Sequence, residues 1–559
     1  MLFLFNRKMK QLKRFSAYYL IGIGVLLMVL SPYVRGRFDL SEDGKYTLSE
    51  SSEIVLNSID APIRIQLYLG GDDLPGGFKR LQKETLDLLA DLKSVSAANI
   101  EVEVIDVYDA YPTEEARASL TRQLDSLGIP PTNLVHKENG KQVQQLVFPG
   151  LVISKGALKT GVLLLKGNKL ASPEEIINQS IEGLEYEIVQ GIQTLLPQER
   201  KKIGFFVEYS STPAIAQIDL VNSLKRKYDL FPVDLAASPT LDGLDAICVL
   251  NPTREFSESD AYKIDQFIVK GGKALFLVDG VKIDTLENQG LAISPRKTGL
   301  ENILFHYGLR INANLVKDAQ LSGMIPLKVG NMGNKPNIQL MPWPSFPLLN
   351  GNPKNLITKN LDAVYGRFVS TIDTISGVAL RKTPLLRTSQ YTQVAKAPSL
   401  LSFSSAGKDF DPAAYNAGMQ TAAYLVEGKF ESAYTNLTQD TNFVASSDIA
   451  SAILVVGDGD VALNGVDYQS QQALPLGFDP FMKNTFANKD FLLNAFTYLI
   501  EENSPLLARS KSIQLRPLDK AKIQADGTFY QVINIAVPLL FATLLSLGVV
   551  FYRKRKYNR

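Results

Sequence analysis

The sequence predicts an α/β protein that is anchored to a membrane at both ends and carries its main domains outside the cytoplasm. Residues 15–34 and 529–552 are apolar runs without a charged side chain, which predicts two membrane-spanning helices. Between them, strand patterns alternate with helix patterns, as in doubly wound sheets. We therefore expect a membrane-proximal α/β domain over residues 35–197 and a Rossmann-like α/β domain over residues 198–528.

The two apolar runs have the length that a bilayer requires. The first has 20 residues, which at about 1.5 Å per residue matches a hydrocarbon core of roughly 30 Å. The second has 24 residues, and spanning helices tolerate a proline such as its Pro538. A cleaved signal peptide is an alternative for the first run, since both have a basic start and an apolar stretch. A retained span is preferred because Leu30-Ser31-Pro32 is a poor cleavage context.

Basic residues flank both spans on their outer sides. The tails 1–14 and 553–559 carry ten basic and no acidic residues, which predicts that both termini are cytoplasmic. Residues 35–528, the ectodomain, then lie on the other side of the membrane. Removing these ten from the 59 basic residues leaves 49, against 57 acidic residues in the ectodomain. This negative charge disfavours nucleic acid or anionic lipid as a partner of the ectodomain as a whole.

The first domain begins with a βαβ pattern and ends in a helix with a clear start. That helix begins after Ser172, where Pro173 and Glu175 complete a capping-box sequence, and it extends to about Leu196. The other elements follow from alternation in strands and from helical spacing of apolar residues. They are strand 63–69, helix 78–95 and strands 100–107, 143–153 and 161–165.

The second domain continues the alternation of strands and helices. Its strands are short apolar runs, and its helices carry apolar stripes. Residues 309–445 interrupt this rhythm with many Gly, Pro and Asn residues, so we interpret them as an insertion. The predicted elements are strands 202–207, 230–233, 246–250, 273–278 and 452–456 and helices 213–227, 257–270 and 488–500.

The composition excludes several kinds of site. Cys248, His136 and His306 are the whole set of cysteines and histidines, too few for a disulfide framework or a Cys/His zinc site. Cys248 lies in an apolar strand pattern, where a thiol acts as a small apolar side chain. The sequence has no G-x-x-x-x-G-K-[ST] phosphate-binding motif and no G-x-S-x-G nucleophile motif. We expect no enzymatic activity, no metal and no cofactor.

Acidic residues directly follow three of the predicted core strands. They are Glu208, Asp279 and the pair Asp458 and Asp460. Ligands bind at the carboxyl ends of strands in such sheets, so these four residues are candidates for one ligand or partner cleft. The alternative is that they are turn residues and helix caps that satisfy backbone N–H groups.

Several sequence runs, in order along nearly the whole chain, resemble one family. This family is the gliding-motility-associated ABC transporter auxiliary proteins, GldG, of the Bacteroidetes. The runs are RFDLS at 37–41, KYTLS at 45–49, NQSIEGLEYE at 178–187, IDQF at 264–267, GGK at 271–273, EGKFES at 427–432, DGD at 458–460, LGFD at 476–479 and NK at 488–489.

The resemblance implies partners and a fold. It implies a multi-span permease subunit and a separate cytoplasmic ATPase in an inner-membrane complex linked to gliding and its secretion system. It also implies a middle domain similar to class I glutamine amidotransferases without their catalysis. Relatives often have a Gly-His-Gly-Glu-like turn after the first strand of that domain, whereas this chain has Val207-Glu208-Tyr209-Ser210, so only Glu208 corresponds.

Our hypothesis is a non-enzymatic auxiliary subunit of an ABC transporter. Its ectodomain would be periplasmic and would bind a substrate or an envelope partner. Ser16, Gly22 and Gly24 in the first span are small enough for close packing against the permease. Two alternatives stay open: a stand-alone membrane-anchored receptor for a sugar or peptide, and a hydrolase descended from an amidotransferase-like fold.

Overall fold

The computed structural model describes residues 47–557 except 72–73, 139–140, 167–171, 198, 287–289, 334, 404–405, 407–410, 435–440, 468, 502–505 and 507–519. The predicted first span, with Ser16, Gly22 and Gly24, lies outside the described residues, as does the tail 1–14. The chain forms two compact units, Met1–Ser512 and Ile513–Arg559.

The larger unit begins with a small α/β domain. Its sheet has the order β2-β1-β5-β6, in which β1 and β2 are parallel and the other neighbours are antiparallel. The predicted βαβ unit is confirmed, and the predicted strand 143–153 is in fact two strands with a break after Val147. The elements are α1 (Glu50–Asn57), β1 (Ile63–Leu67), α2 (Gly76–Val95), β2 (Ile100–Val104), α3 (Val107–Ala110), α4 (Glu114–Ser126), β3 (Thr132–Glu138), β4 (Lys141–Val147), β5 (Gly150–Lys155), β6 (Leu158–Leu163) and α5 (Pro173–Gln193).

Helix α5 starts as its capping sequence predicts. The Ser172 hydroxyl accepts a hydrogen bond from the Glu175 backbone N–H at 3.3 Å, and the Glu175 carboxylate accepts one from the Ser172 N–H at 2.9 Å. These two bonds satisfy N–H groups that have no partner inside the helix. The helix packs on α1, α2 and β6.

The rest of the larger unit is built on a large mixed sheet. The strands of its antiparallel half are β15 (Ser322–Met332), β16 (Lys335–Gly351), β17 (Val364–Tyr365), β19 (Arg381–Arg387) and β22 (Thr421–Gly428). The elements around its parallel half are β7 (Lys202–Phe205), α6 (Ile218–Lys225), β8 (Asp229–Pro232), β9 (Ala246–Leu250), α7 (Glu258–Val269), β10 (Lys273–Leu277), β23 (Ser451–Val456) and α9 (Asn488–Ile500). The described strands have the order β15-β16-β19-β22-β23-β10-β9-β7-β8, and β17 pairs with β16.

The prediction of a mostly parallel sheet is correct for only half of it. Strands β8, β7, β9, β10 and β23 are parallel, but β22, β19, β16 and β15 are antiparallel to their neighbours. These four strands come from the segment interpreted as an insertion. Their polypeptide reverses direction between strands, which needs no crossover helix and leaves no alternating helix pattern in the sequence.

Helices cover both faces of the parallel half. Cys248 and Leu250 of β9 point to the side of α6 and α9, whereas Ile247 and Val249 point to the side of α7. Because every residue of β9 is buried, the strand reads as a continuous apolar run. This arrangement of helices is the doubly wound pattern that the sequence predicts.

Short strands build a β-rich cap beyond the carboxyl ends of the parallel strands. Its aromatic core contains Trp343, which is 2% exposed and packs against Phe346, Phe368 and Phe403. The remaining elements are β11 (Val281–Leu286), β12 (Gly290–Pro295), α8 (Glu301–His306), β13 (Leu309–Ile311), β14 (Asn314–Asp318), β18 (Ile372–Thr374), β20 (Thr392–Lys396), β21 (Ser399–Leu401), β24 (Val466–Asp467), β25 (Gln472–Ala473), β26 (Phe478–Asp479) and β27 (Asn484–Thr485).

The smaller unit contains the helix α10 (Lys520–Tyr557), which is interrupted by non-helical backbone at Asp526. Within it, Asp526–Arg553 is long and apolar enough to cross a membrane. It is the one candidate span among the described residues, and it includes the predicted span 529–552.

Candidate functional site

The ends of β10 and β23 bring three of the predicted aspartates together. Leu277 pairs in parallel with Val456, so Asp279 and Asp458 each lie two residues beyond their strand at the same edge of the sheet. Asp460 follows in a short 3-10 turn, Gly459–Ala462, whose N-cap is Asp458. We call Asp279, Asp458 and Asp460 the aspartate cluster.

Asp458 is the buried centre of the cluster. Its side chain has no solvent exposure, and its Oδ1 accepts a hydrogen bond from the Asp460 backbone N–H at 2.8 Å. Its Oδ2 accepts a second one from the Arg367 backbone N–H at 2.7 Å. Burial, together with Asp460 and Asp279, raises the pKa of Asp458 well above its ordinary value, although the two N–H donors oppose this shift.

Asp279 joins the ends of the two strands. Its Oδ1 accepts a hydrogen bond from the Gly459 backbone N–H at 2.6 Å, and its Oδ2 lies 3.7 Å from the Arg296 guanidinium. Burial first, and then the charge of Asp460, raises the pKa of Asp279 to about 7. The Gly459 N–H and Arg296 act in the opposite direction.

Two arginines balance the negative charge of the cluster. Burial raises the pKa of Asp460, while the positive charges of Arg367 and Arg296 lower it. The Arg296 guanidinium also donates a hydrogen bond to the Pro252 carbonyl oxygen at 3.0 Å. The Arg367 guanidinium lies 5.4 Å from the ring centre of Tyr365, a cation–π geometry. The site is therefore a mixed group of carboxylates and guanidinium groups between the sheet and the cap.

Asn251 shapes the backbone next to the cluster. It is the first residue after β9 and adopts a left-handed conformation with φ of 41°. A Cβ atom on Gly459 would lie 2.7 Å from Asn251 Cγ, so the turn after β23 requires glycine at this position. Asn251 was missed by sequence reasoning, although its place after a core strand is the signal that identified the aspartates. Arg296 and Arg367 carry no such signal, because they come from the cap.

The structure places Glu208 apart from the aspartate cluster. It lies in the 3-10 turn Val207–Tyr209 after β7, and β9 separates β7 from β10 in the sheet. Its pKa is raised first by a hydrogen bond with Asp234, with a further contribution from the charge of Asp260. This places Glu208 with a second acidic pair rather than with the three aspartates.

The chemistry available to the cluster is recognition by charge and hydrogen bonding. Among the described residues, no group of three or more His, Cys, Asp or Glu side chains is placed to hold a metal ion. Cys248 is fully buried, and burial raises the pKa of its thiol, which disfavours the thiolate needed for nucleophilic chemistry. Two of the aspartates already accept backbone hydrogen bonds, which leaves Asp460 and the two arginines as the groups able to meet a ligand.

A cavity of about 1010 Å³ opens at the opposite edge of the sheet. It lies at the amino ends of β9, β10 and β23, and Asp245, Lys273 and Ser451 are among its lining residues. The end of α9 also lines it, at Ile500 and Glu501. No sequence prediction pointed to this cavity.

Helix α5 contacts the chain near the start and near the end of the described part of the larger unit. Glu185 Oε1 accepts hydrogen bonds from the Ser49 backbone N–H and from the Ser52 hydroxyl, both at 2.7 Å, and these residues begin α1. The next residue, Tyr186, is buried against Leu506, which follows α9 along the chain. Consecutive residues of one helix therefore contact the first and last described segments of the larger unit.

Comparisons with known proteins identify family models for most of the ectodomain. Residues 200–495 match the model of auxiliary proteins described as an "ABC-type uncharacterized transport system". Residues 42–154 match a domain of unknown function, DUF7088. No curated protein matches the chain.

Among solved structures, the chain is similar to one described as "mmIFT52 N-terminal domain". The match has 10% sequence identity and covers 54% of this chain and 98% of that chain. Its TM-score is 0.30, which is too low to establish a common fold.

Proposed function

Because the chain belongs to the family of auxiliary proteins of an ABC-type transport system, we propose that it is a non-enzymatic auxiliary subunit of an ABC transporter complex in the bacterial inner membrane. The family match over residues 200–495 is the observation that carries this proposal. The matched segment contains the large sheet, the cap and the aspartate cluster.

The proposed partners are a multi-span permease subunit and a cytoplasmic ATPase. The sequence has no phosphate-binding loop, so ATP hydrolysis would be carried out by another chain. The apolar helix Asp526–Arg553, followed by basic residues, supports anchoring with a cytoplasmic C-terminus. The first predicted span would complete a two-span anchor, with Ser16, Gly22 and Gly24 packed against the permease and the ectodomain in the periplasm.

The finer assignment is a role in bacterial gliding motility and its secretion system. It rests on the sequence runs shared with the gliding-motility auxiliary proteins of the Bacteroidetes. Those runs include DGD at 458–460, which forms part of the aspartate cluster. We also propose that the large domain is similar to class I glutamine amidotransferases.

The aspartate cluster is the proposed ligand or partner site. Asp460, Arg296 and Arg367 offer both signs of charge at the sheet edge where doubly wound folds bind ligands. Asp279 and Asp458 would hold this edge in shape, and Glu208 would lie outside the site. Occupancy would reach the membrane through the contacts of α5 with the first and last described segments of the larger unit, provided that the ligand binds two states of the ectodomain with different affinity.

Co-purification tests the proposal. The full chain would be isolated from its native membrane in mild detergent, and its companions would be identified by mass spectrometry. We expect a permease and an ATPase in constant ratio to the chain, and we expect less of both with a matched chain that ends at residue 512 and so lacks the second span. Recovery of the full chain alone would contradict the proposal and would favour a stand-alone receptor for a sugar or peptide.

A further inference from the structure

Strands β15 and β16 form a long hairpin with one face turned outward. The pairing places Pro326 opposite Leu340 and Lys328 opposite Ile338, and paired residues of antiparallel strands share a face. All four of these residues are exposed. The other face contains Ile325, which is buried in a cluster with Trp343. We call residues 326–342 the arm.

The arm exposes large apolar side chains. Ile338 is 60% exposed and Leu340 is 45% exposed on the outward face. Near the tip both faces of the hairpin are exposed: Met332, which pairs with Lys335 on the face opposite Ile338, is 73% exposed, and Val329 is 46% exposed. Single exposed apolar residues are common on proteins, but a contiguous group on one structural element marks an interaction surface.

The charges of the arm are all positive. Residues 319–361 contain four lysines and no acidic residue, although the ectodomain as a whole has an excess of acidic residues. Lys328 and Lys335 lie within the arm and are exposed. Apolar side chains flanked by lysines suit the boundary between acyl chains and anionic headgroups, because the apolar part is buried and the ammonium groups meet phosphate.

We propose that the arm docks on an anionic phospholipid surface, with Met332 and Ile338 in the interface and with Lys328 and Lys335 at the headgroups. The proposal rests on the membrane anchoring described under the proposed function. Anchoring keeps the arm at a high effective concentration next to lipid, so a weak local affinity is sufficient. The positive charge of the arm opposes the net negative charge of the ectodomain, which favours contact of anionic lipid with this element over the ectodomain surface as a whole.

Site-specific fluorescence in lipid nanodiscs tests the proposal with the full chain. Met332→Cys would carry an environment-sensitive label, and the native Cys248 is fully buried and so stays unlabelled. Discs would contain either phosphatidylcholine alone or equal parts of phosphatidylcholine and phosphatidylglycerol, with a nitroxide-bearing lipid as quencher. We expect blue-shifted emission and quenching in the anionic discs. We expect both to decrease in zwitterionic discs and in a chain that also carries Lys328→Glu and Lys335→Glu.

Two further label positions serve as a negative and a positive control for lipid quenching. Leu158→Cys, at an exposed site in β6, should remain unquenched, while Leu544→Cys, in the candidate span, should be quenched in both kinds of disc. Quenching at residue 544 without quenching at residue 332 would overturn the arm proposal and leave the anchoring intact. A blue shift at residue 332 without lipid quenching would show that the arm packs on protein and would also overturn it. Absence of quenching at residue 544 would contradict the membrane anchoring and therefore also the arm proposal, which rests on it.

Discussion

The Asp458 carboxylate accepts a hydrogen bond from the Arg367 backbone N–H at 2.7 Å. This contact joins the turn after a core strand of the sheet to a loop of the β-rich cap. The same carboxylate holds the Asp460 N–H, so one buried side chain fixes both walls of the candidate site. The position of Arg367 therefore depends on Asp458, although the two residues are far apart in the sequence.

Asp458→Ala should destabilise the larger unit. The substitution leaves the N–H groups of Asp460 and Arg367 without their acceptor, and a buried unsatisfied group costs about 1–3 kcal/mol. Thermal unfolding of the purified chain would measure the change. Asp284→Ala is the control, since this aspartate is about half exposed and its ion pair with Lys282 lies on the surface. Equal melting temperatures for the two variants would contradict the role of Asp458.

The contribution of Asp279 to the stability of the larger unit should increase as the pH falls from about 7 towards 4. The pKa of Asp279 is raised to about 7 in the folded protein, above the usual 3.8, so the folded state binds more protons than the unfolded state between these values. Its stabilising contribution is complete below the lower value and is lost as the pH rises through the upper one. The raised pKa values of Asp458 and Asp460 act in the same direction.

Asp279→Asn should reduce this pH dependence. Asparagine keeps an acceptor for the Gly459 N–H but cannot titrate, so the proton uptake on folding should fall by about one proton at most. Melting temperatures between pH 4 and 8 would measure the slope for both chains. An unchanged slope in the variant would contradict the assignment of this titration to Asp279.

Gly459→Ala should destabilise the turn after β23. The new Cβ would lie 2.7 Å from Asn251 Cγ, and overpacking of this kind costs about 1–3 kcal/mol. Gly183→Ala is the matched control, because a Cβ at that position in α5 meets no atom within 4 Å. In a helix, the control should stabilise the chain by about 0.5–1 kcal/mol. The same sign for both variants would show that the contact with Asn251 is not tight.

Glu185→Ala should loosen the start of the described chain. It removes the acceptor of the Ser49 N–H and the Ser52 hydroxyl, so hydrogen exchange in residues 49–57 should become faster. Glu53→Ala is the control, because Glu53 is exposed on the same short helix. Faster exchange in the control than in Glu185→Ala would contradict the proposed anchoring of α1 on α5.

The sequence predicted the elements that are buried on both faces and those that begin with a local capping motif. Strand β9 is buried on both faces and is therefore an unbroken apolar run, and Ser172 with Glu175 marks the start of α5 by local chemistry. Strand β19 was not predicted, because Pro384 interrupts it and the pairing with β22 shifts register at that residue. Prolines in β16 had the same effect and made the antiparallel half look like an insertion.

The sequence predicted only those residues of the candidate site that follow strands of the sheet. Asp279 and Asp458 meet because parallel strands end at a common edge, a rule that needs no knowledge of the cap. Arg296 and Arg367 reach the same place through the folding of separate cap segments, which no local pattern encodes. Glu208 also follows a parallel strand, but β9 separates that strand from β10, and Glu208 forms a hydrogen bond with Asp234 instead.

We claim that this chain acts as a subunit of an ABC transporter, and the rate of ATP hydrolysis by the complex tests this claim most directly. The permease and ATPase that co-purify with the chain would be reconstituted with it, without it, and with the Glu185→Ala variant. We predict that the rate of ATP hydrolysis changes when the chain is present and that the variant loses part of this effect while still binding the complex. Equal rates in all three preparations would contradict the claim.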